Sequence, residues 1–547
     1  MSLSRNARTL LKAKYTLPGE TPGEVFSRVA RAVGTPGCNR FHKMMNDLEF
    51  LPNSPTLMNA GLPRGQLAAC FVLPVEDSIA GIFRTLGTMA QIHKTGGGTG
   101  FSFSRLRPSH DRVAGRPGVA GGPLPFIRVF DEATNALRQG GRRRGANMGV
   151  LASSHPDILS FIGAKQQGGL DNFNLSVGFE TNFFECLGSG REYGLVNPRN
   201  HEISGTIAPA DLWEAVARAA WSSGDPGMLF FDLINEKNPV PGLGPLEATN
   251  PCGEQPLLPF ESCNLGSINL SQFEAKGDID EERLRETARL SVRFLDAVID
   301  VTWFPARKIR EATLLTRKIG LGVMGLADLL IRLDIPYSSE EAIAVAGQVM
   351  SVIQDEAKHS SHEIGVEKGS FPAIDMSIYP NEMRNATVTT VAPTGSLHLI
   401  ADTSSGIEPY FSLVTRRSLL GTGTVIVPKI VTRLLSDVRS GTDILAKVRR
   451  TGSLEGLPVP GHMRELLRTA HEIAPGHHVR MQAEVQKYVD NAVSKTVNLP
   501  ESATPGDISR VFTLARESGC KGITVYRNNS KESQVLVAGA GSCVVCD

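Results

Sequence analysis

Apolar residues recur at helical spacing in the N-terminal part of the chain, residues 1–65, and the pattern predicts helices and loops there. Within it, the apolar positions of 25–33 fall on one face of a helix. This helix is predicted to have Thr21 as its N-cap and Pro22 in its first turn. Glu24, three residues after the cap, supports that start.

Three longer amphipathic patterns predict helices further along, at 78–94, 208–223 and 283–303. In the first of them, one stripe of apolar residues runs the length of the helix. Such a stripe is usually part of a core, but it would equally serve as a dimer face.

Short runs rich in β-branched and aromatic residues alternate with helices through 66–530. In chain order these runs are 70–73, 101–103, 174–179, 228–231, 267–270 and 387–391. The alternation favours an α/β catalytic domain built on one large sheet or barrel. Residues 531–547 follow a polar stretch and are predicted to be a flexible C-terminal tail.

The composition is that of an ordinary globular protein, with 41% hydrophobic and 21% charged residues. Lys and Arg number 57 against 56 Asp and Glu, so no basic excess indicates a nucleic-acid or membrane partner. The N-terminus lacks the apolar run of a secretory signal, and no stretch approaches the ~20 apolar residues of a membrane span. We therefore expect a cytoplasmic protein.

The chain has eight cysteines, at positions 38, 70, 186, 252, 263, 520, 543 and 546. In a long chain without a secretory signal they are read as free thiols rather than as a disulfide framework. Their positions are therefore more informative than their number.

The segment Asn250-Pro-Cys-Gly-Glu-Gln-Pro-Leu is the most unusual in the chain. Its two prolines and its glycine disfavour regular structure, so it is predicted to be a constrained loop. If the loop is extended, Asn250, Cys252 and Glu254 point the same way. A turn with a buried cysteine and a capping glutamate explains the triplet equally well. Cys263, just downstream, favours the catalytic interpretation.

This segment and the following ESCNLGSINL (261–270) resemble the active-site loop of the ribonucleotide reductases. Other motifs of that family occur in order: FLPNSPTLMNAG (50–61), ACFVLPVEDS (69–78), KTGGGTGFSFSRLRP (94–108), QGGRRRGANMGVL (139–151), GDPGMLFFDLIN (224–235), VAPTGSLHLIADTSSGIEPYF (391–411), NAVSKTVNLP (491–500) and GCKGITVYR (519–527). The residues of these motifs are most similar to those of the vitamin B12-dependent class II enzymes. The resemblance implies a ten-stranded α/β barrel, formed by two parallel five-stranded halves laid antiparallel, with a finger loop through its centre.

The resemblance also implies the chemical roles. Cys252 would be the thiyl radical that abstracts the 3′-hydrogen of the ribose. Glu254 would act as general base on the 3′-hydroxyl, and Asn250 would hold the same oxygen. Cys70 and Cys263 would supply two electrons and end as a disulfide, which requires their Cα atoms to lie within about 7 Å.

The run 387–391 leads into a small-residue turn and a possible helix start, an arrangement that can present backbone N–H groups to phosphate. Taken alone, the turn is better explained as an ordinary strand–helix connection. The resemblance implies that the substrate diphosphate lies on Pro393, Thr394, Gly395, Ser396 and Leu397. It places the rest of the nucleotide against Ser54, Ala69, Cys70, Gly98, Asn250, Pro251, Cys252, Gly253 and Glu254. The glycines 96–98 lack the Lys-Ser/Thr of a P-loop and are expected to allow close packing beneath the substrate.

A second nucleotide site is implied at Asp77 and Arg107, which match contacts to a deoxynucleoside triphosphate effector. Arg142, Arg143 and Arg144 are either a solvated basic face or the loop that relays effector identity to the substrate. The resemblance favours this specificity loop. It also makes helix 78–94 a dimer face, so a homodimer with coupled nucleotide sites is expected.

Cys543 and Cys546 form a C-x-x-C pair in the tail. Half a zinc site is the alternative, but no second Cys/His pair accompanies them. A dithiol that re-reduces the active-site cysteines, and is itself reduced by thioredoxin or a glutaredoxin-like protein, fits better. Cys38, Cys186 and Cys520 are interpreted as packing residues.

Adenosylcobalamin is the expected radical source. Family members served by a metal-radical subunit carry a tyrosine pair near the C-terminus, whereas here Tyr526 stands alone, and no glycyl-radical motif is recognised. An Asp-x-His-x-x-Gly motif is also missing, so no protein ligand to the cobalt is expected. A metal-radical partner subunit remains the alternative. A regulator without catalysis is the second alternative, against which the intact catalytic residues argue.

Two departures from the family pattern bear on regulation. The chain begins close to its first helical segment, which leaves no room for an ATP-cone domain, so on/off control by ATP and dATP is not expected. Residues 421–470 fit the family poorly and suggest no function. The resemblance favours diphosphate over triphosphate substrates.

Overall fold

The computed structural model describes residues 3–34, 37–113, 120–137, 145–419, 422–438, 441–530 and 537–538, with side chains left out at 417–424 and 537–538. Within these ranges the α-helices, numbered α1 to α20 in chain order, are Arg5–Lys14, Glu24–Val33, Cys38–Asn46, Ser54–Asn59, Ile79–Lys94, Pro123–Leu137, Ile158–Ile162, Thr181–Ser189, Pro209–Ser223, Phe231–Glu236, Glu281–Val301, Arg307–Thr316, Leu326–Arg332, Glu340–Lys368, Leu397–Ala401, Lys429–Ser436, Gly441–Thr451, Gly461–Leu466, Pro475–Gln486 and Pro505–Glu517. The strands, numbered β1 to β19 in the same way, are Phe50–Pro52, Cys70–Pro74, Gly98–Ser102, Asn147–Ala152, Phe173–Phe179, Tyr193–Val196, Ile203–Ile207, Gly227–Phe230, Ala248–Thr249, Pro256–Leu257, Ser262–Asn269, Glu274–Ala275, Asp278–Ile279, Ile319–Met324, Thr415–Leu419, Thr422–Ile426, Thr496–Leu499, Gly522–Arg527 and Val537–Ala538.

The central sheet contains two parallel halves that meet antiparallel. In the first half β2, β3, β4, β5 and β8 are neighbours and all parallel. In the second half β11 pairs with β14, and β17 with β18, again parallel. The halves join through the antiparallel pairs β2–β11 and β8–β18. Strands β11 and β14 are buried at every position, as expected for strands covered on both faces. β14 is apolar throughout, whereas β11 also buries serine and asparagine side chains.

The segment 387–391 fills the remaining position and closes the ring. It is joined to β14 by the parallel bridge Leu321–Thr389 and to the chain just before β17 by the bridge Val391–Val493. The amide of Leu321 donates to the carbonyl of Val388 at 2.7 Å. The strand predicted at 387–391 is therefore present as two bridges rather than as a continuous ladder. With it, the expected ten-stranded α/β barrel is confirmed.

Most of the predicted helices are observed, but one start was wrong. Helix α2 begins at Glu24, with Gly23 and not Thr21 at its N-cap position. The backbone amide of Thr21 donates to the Glu24 carboxylate at 2.7 Å, and so does its hydroxyl. The threonine and the glutamate therefore pair with each other ahead of the helix. Helix α5 begins as predicted, with Ser78 as its N-cap.

The apolar interior is divided by the barrel wall. Helices α1 to α4 pack with α11, α14, β11, β14 and the segment 387–391 in one large core, whereas β17 and β18 share a second core with the first half of the barrel. A third cluster fills the barrel interior around Cys70 and Cys263. Residues from the weakly matching region, notably Val431, Leu435 and Val448, form a small separate core. None of the described helices combines the length and apolar character that crossing a bilayer requires.

Candidate active site

Cys70 and Cys263 lie directly opposite each other on the antiparallel strands β2 and β11. The amide of Ala69 donates to the carbonyl of Cys263 at 3.1 Å and fixes this register. Opposed residues of an antiparallel pair have Cα atoms about 4.5–5.5 Å apart, inside the range that a disulfide spans. Both thiols are buried. Two cysteines far apart in sequence are thus placed where one bond can join them.

The loop between β9 and β10 carries the second half of the site. Asn250 closes it, because its backbone amide donates to the carbonyl of Gln255 at 3.1 Å and its side-chain oxygen accepts from the Gln255 amide at 3.0 Å. The side-chain amide of Asn250 donates to the sulfur of Cys70 at 3.0 Å. Gly253, at φ +83°, permits the tight turn that follows Cys252.

Neighbouring strands hold this loop inside the barrel. Asn174 on β5 donates to the carbonyl of Pro251 at 2.8 Å. A Cβ at Gly98 would lie 2.9 Å from the Pro251 ring, and one at Gly100 would lie 1.6 Å from the carbonyl oxygen of Thr249. Two glycines of β3 therefore leave the space in which the loop lies.

The two side chains of the loop that are predicted to react have opposite surroundings. Cys252 is exposed, whereas Glu254 is 2% exposed. The carbonyl of Glu254 accepts from the Ala492 amide and from the Thr390 hydroxyl, both at 2.9 Å. The residues that close the barrel thus also anchor the loop.

A buried ion pair lies close to Cys263 along β11. Lys318 donates to Glu261 at 2.7 Å, and both side chains are almost fully buried. Thr316 donates to the other oxygen of Glu261 at 2.6 Å. Burial raises the pKa of the Cys263 thiol well above its ordinary value, and the charge of Lys318 offsets part of that rise. Cys263 therefore carries its proton at neutral pH.

A cavity of about 620 Å³ opens beside the loop, within the size range of ligand sites. Cys252 and Gly253 lie on its wall, together with Pro393 and Gly395 of the predicted phosphate turn. Cys70, Cys263, Asn250 and Glu254 are not on the wall, and all four are almost fully buried.

The phosphate turn has the expected strand–turn–helix form. Thr394 is in the left-handed region at φ +48°, and its hydroxyl accepts from the Gly406 amide at 2.9 Å. Helix α15 starts at Leu397, immediately after Ser396. Ser54 lies apart from the cavity wall, and its hydroxyl is 2.9 Å from that of Tyr15.

The residues predicted to bind an effector are adjacent. Arg107 donates from Nε to Asp77 at 2.9 Å, and its backbone amide reaches the same carboxylate at 3.2 Å. Asp77 immediately precedes the N-cap of α5, on which Ile79 and Phe83 are 64% and 50% exposed. Only part of the apolar stripe of this helix is therefore buried in the core. The other predicted residues, Arg142, Arg143, Arg144, Cys543 and Cys546, lie outside the described residues.

Sequence reasoning missed a charged group on the cavity wall. Lys495, whose side chain is fully buried, donates to Glu408 at 2.5 Å and lies 3.0 Å from Nδ1 of His478. Burial and the lysine charge lower the pKa of His478 well below its ordinary value, so the imidazole is neutral. Lys495 lies in the motif 491–500 and Glu408 in the motif 391–411. Their presence in two family motifs is the sequence feature that could have identified them. Across the described ranges, no three His, Cys, Asp or Glu side chains are grouped closely enough to hold a metal ion.

Known proteins share this architecture and sequence. A solved structure, the Actinobacillus ureae class Id ribonucleotide reductase alpha subunit, superposes with a TM-score of 0.81 over 96% of this chain and 97% of its own, at 23% identity. The vitamin B12-dependent ribonucleoside-diphosphate reductase of Thermoplasma acidophilum is 50% identical over 92% of this chain and 66% of its own length. That of Mycobacterium tuberculosis (strain CDC 1551 / Oshkosh) is 48% identical over 99% of this chain and 81% of its own. The all-alpha domain of ribonucleotide reductase matches residues 1–65, and its barrel domain matches 68–383 and 375–526. The chain therefore belongs to the ribonucleotide reductase family.

Proposed function

We propose that this chain reduces ribonucleoside diphosphates to 2′-deoxyribonucleotides by thiyl-radical chemistry, with adenosylcobalamin as the radical source. The observation that carries the proposal is the placement of Cys70 opposite Cys263, with the Asn250 amide on the Cys70 sulfur. The loop of Asn250 also carries a third cysteine, Cys252, two residues further along. The curated relatives named above support the diphosphate substrate and the cofactor.

We assign the roles as the resemblance to the family implies them. The Cys252 radical takes the 3′-hydrogen of the ribose, while the buried Glu254 accepts the 3′-hydroxyl proton. The 2′-hydroxyl leaves as water after protonation by the thiol pair. Cys70 and Cys263 supply two electrons and two protons in total and become a disulfide. Glu254 then returns its proton to the 3′-oxygen, and the 3′-hydrogen returns from Cys252 to the product, which regenerates the radical.

The cavity that contains Cys252 suits a large cofactor. The thiol is exposed on its wall, so a group bound there would have access to the sulfur. Adenosylcobalamin, when bound, supplies a carbon radical by homolysis of its cobalt–carbon bond. Cys252 would donate its hydrogen atom to that radical.

Substrate and effector would bind at separate places. Pro393 to Leu397 would cradle the diphosphate. Ser54, Ala69 and Gly98, which do not lie on the cavity wall in this structure, would contact the rest of the nucleotide. Asp77 and Arg107 would bind a deoxynucleoside triphosphate next to a homodimer face on α5. The Arg142–Arg144 loop would relay effector identity to the substrate.

The decisive experiment is anaerobic incubation of the purified chain with adenosylcobalamin, a small dithiol and CDP. We expect dCDP to form only when the cobalamin is present. Formation of dCDP without cobalt, but with an added metal-radical protein, would replace the cofactor assignment. No dCDP under either condition, with CDP bound, would favour a nucleotide-binding regulator instead.

A further inference from the structure

The C-terminal segment contributes a strand to a hairpin on the cavity wall. Strand β15 pairs antiparallel with β16 on one edge and with β19, Val537–Ala538, on the other. In this register Thr415 is opposite Ala538, and Arg416 is opposite Val537. The tail is thus joined by backbone pairing to a hairpin whose second strand, β16, begins the region 421–470 for which the sequence suggested no function.

The same hairpin faces the cavity that contains Cys252. Thr415 and Ile426, which are directly paired on β15 and β16, both line that cavity. Thr415 is therefore a cavity residue and a partner of the tail at once. An edge strand that offers its unpaired backbone groups is a common means of capturing an extended segment.

The chain length beyond the pairing suits delivery of the tail cysteines. Cys543 lies five residues after Ala538, and Cys546 eight residues after it. Extended chain of these lengths spans at most about 18 and 29 Å. Docking at Thr415 thus tethers both thiols within reach of the cavity and keeps them concentrated there.

We propose that β15 is a docking strand for the C-terminal segment, which holds the Cys543/Cys546 dithiol beside the active-site cavity between turnovers. This rests on the proposed function, in which the tail re-reduces the active-site cysteines. One tail thiolate attacks the Cys70–Cys263 disulfide to form a mixed disulfide. The second tail thiol displaces it, which leaves Cys70 and Cys263 as thiols and the tail oxidised. A thioredoxin-like dithiol then reduces the tail.

Cross-linking tests the docking directly. The full-length variant Thr415→Cys/Ala538→Cys, in a Cys543→Ser/Cys546→Ser background, is oxidised mildly and digested for mass spectrometry. We expect a 415–538 disulfide in clear excess over any cross-link in the matched variant Ile203→Cys/Ala538→Cys, whose residue 203 is exposed on a different hairpin. Equal or absent cross-linking in the two variants would overturn the proposal.

Kinetics test whether docking matters for turnover. Val537→Pro/Ala538→Pro removes two backbone donors, and multiple turnover with thioredoxin should fall by about tenfold or more as the effective concentration of the dithiol drops. Turnover with a small dithiol, which bypasses the tail, should not change. Val537→Thr/Ala538→Thr keeps strand-forming residues and should retain the thioredoxin-dependent rate.

The outcomes separate docking from the shuttle itself. If the proline variant turns over normally with thioredoxin while Cys543→Ser/Cys546→Ser does not, the tail dithiol does re-reduce the active-site cysteines, but the docking proposal fails. If the serine variant also turns over normally with thioredoxin, the proposed re-reduction by Cys543 and Cys546 is wrong, whatever the cross-link shows.

Discussion

The side-chain amide of Asn250 donates to the sulfur of Cys70 at 3.0 Å. This contact joins the loop that carries Cys252 to Cys70, one member of the proposed redox pair. The same asparagine closes the loop through Gln255. One side chain therefore sets both the shape of the loop and its position over the reducing pair.

Replacing Asn250 with Ala should slow a single turnover by about 10²-fold, since one positioned donor to the reacting oxygen is lost and the loop loses its closure. Nucleotide binding should change little. Rapid-quench measurement of dCDP in one turnover, beside equilibrium CDP binding, checks this. Asn174→Ala, which removes only the donor to the Pro251 carbonyl, is the matched control and should have a smaller effect. A normal rate in the Asn250 variant would contradict the assigned role.

Lys318→Met should destabilise the fold by about 3–5 kcal/mol, because it leaves the buried carboxylate of Glu261 without its cation. The double variant Glu261→Gln/Lys318→Met should recover part of that loss. Denaturant unfolding measures both. Arg307→Met removes an exposed partner of Glu311 and should stay within about 0.5 kcal/mol of the parent. Equal losses at the buried and exposed pairs would refute the argument.

Much of the fold was predictable because buried parallel strands and amphipathic helices leave strong local patterns. Strand β2 and helices α5, α9 and α11 were located to within a few residues. The start of α2 was missed because a Thr–Glu pair forms the same contacts ahead of a helix as it does at a cap. Closure of the barrel through 387–391 depends on bridges between distant segments, which periodicity does not encode.

The site was only partly predictable. The resemblance named the residues, but the opposition of Cys70 and Cys263 is a property of strand register. The Lys495–Glu408 pair was missed because the two residues are far apart in sequence and come together only where their segments meet at the cavity. The tail strand on β15 was missed for the same reason.

His93 should contribute to the pH dependence of stability. Burial lowers its pKa to about 4, and the unfolded chain titrates near 6.5, so the native state holds the imidazole neutral. Its contribution is fully present above the unfolded pKa and is lost as the pH falls through 6.5 towards 4, by about 3 kcal/mol in all. His93→Gln should show a shallower loss of unfolding free energy over this range. Identical slopes for the two proteins would exclude the assignment.

The same histidine lies against the end of the predicted specificity loop. A Cβ at Gly145 would come within 2.6 Å of Nδ1 of His93. On its other side, His93 Nε2 lies 2.9 Å from the hydroxyl of Thr99, which donates to Asn147 at 2.7 Å. His93 also lies near the C-terminal end of α5, the helix that begins beside Asp77. Gly145, which directly follows the arginines of the predicted specificity loop, thus packs against the C-terminal end of α5.

Gly145→Ala should therefore reduce the coupling between effector and substrate without touching either nucleotide. The added methyl must displace the loop end or His93, whose ring is held by Thr99. Equilibrium binding of CDP with and without a deoxynucleoside triphosphate measures the coupling, and we expect the ratio of the two affinities to move towards one. Gly188→Ala, where the added Cβ meets open space, should leave the ratio unchanged. If the Gly145 variant keeps the parent's ratio, this contact does not transmit the effector signal.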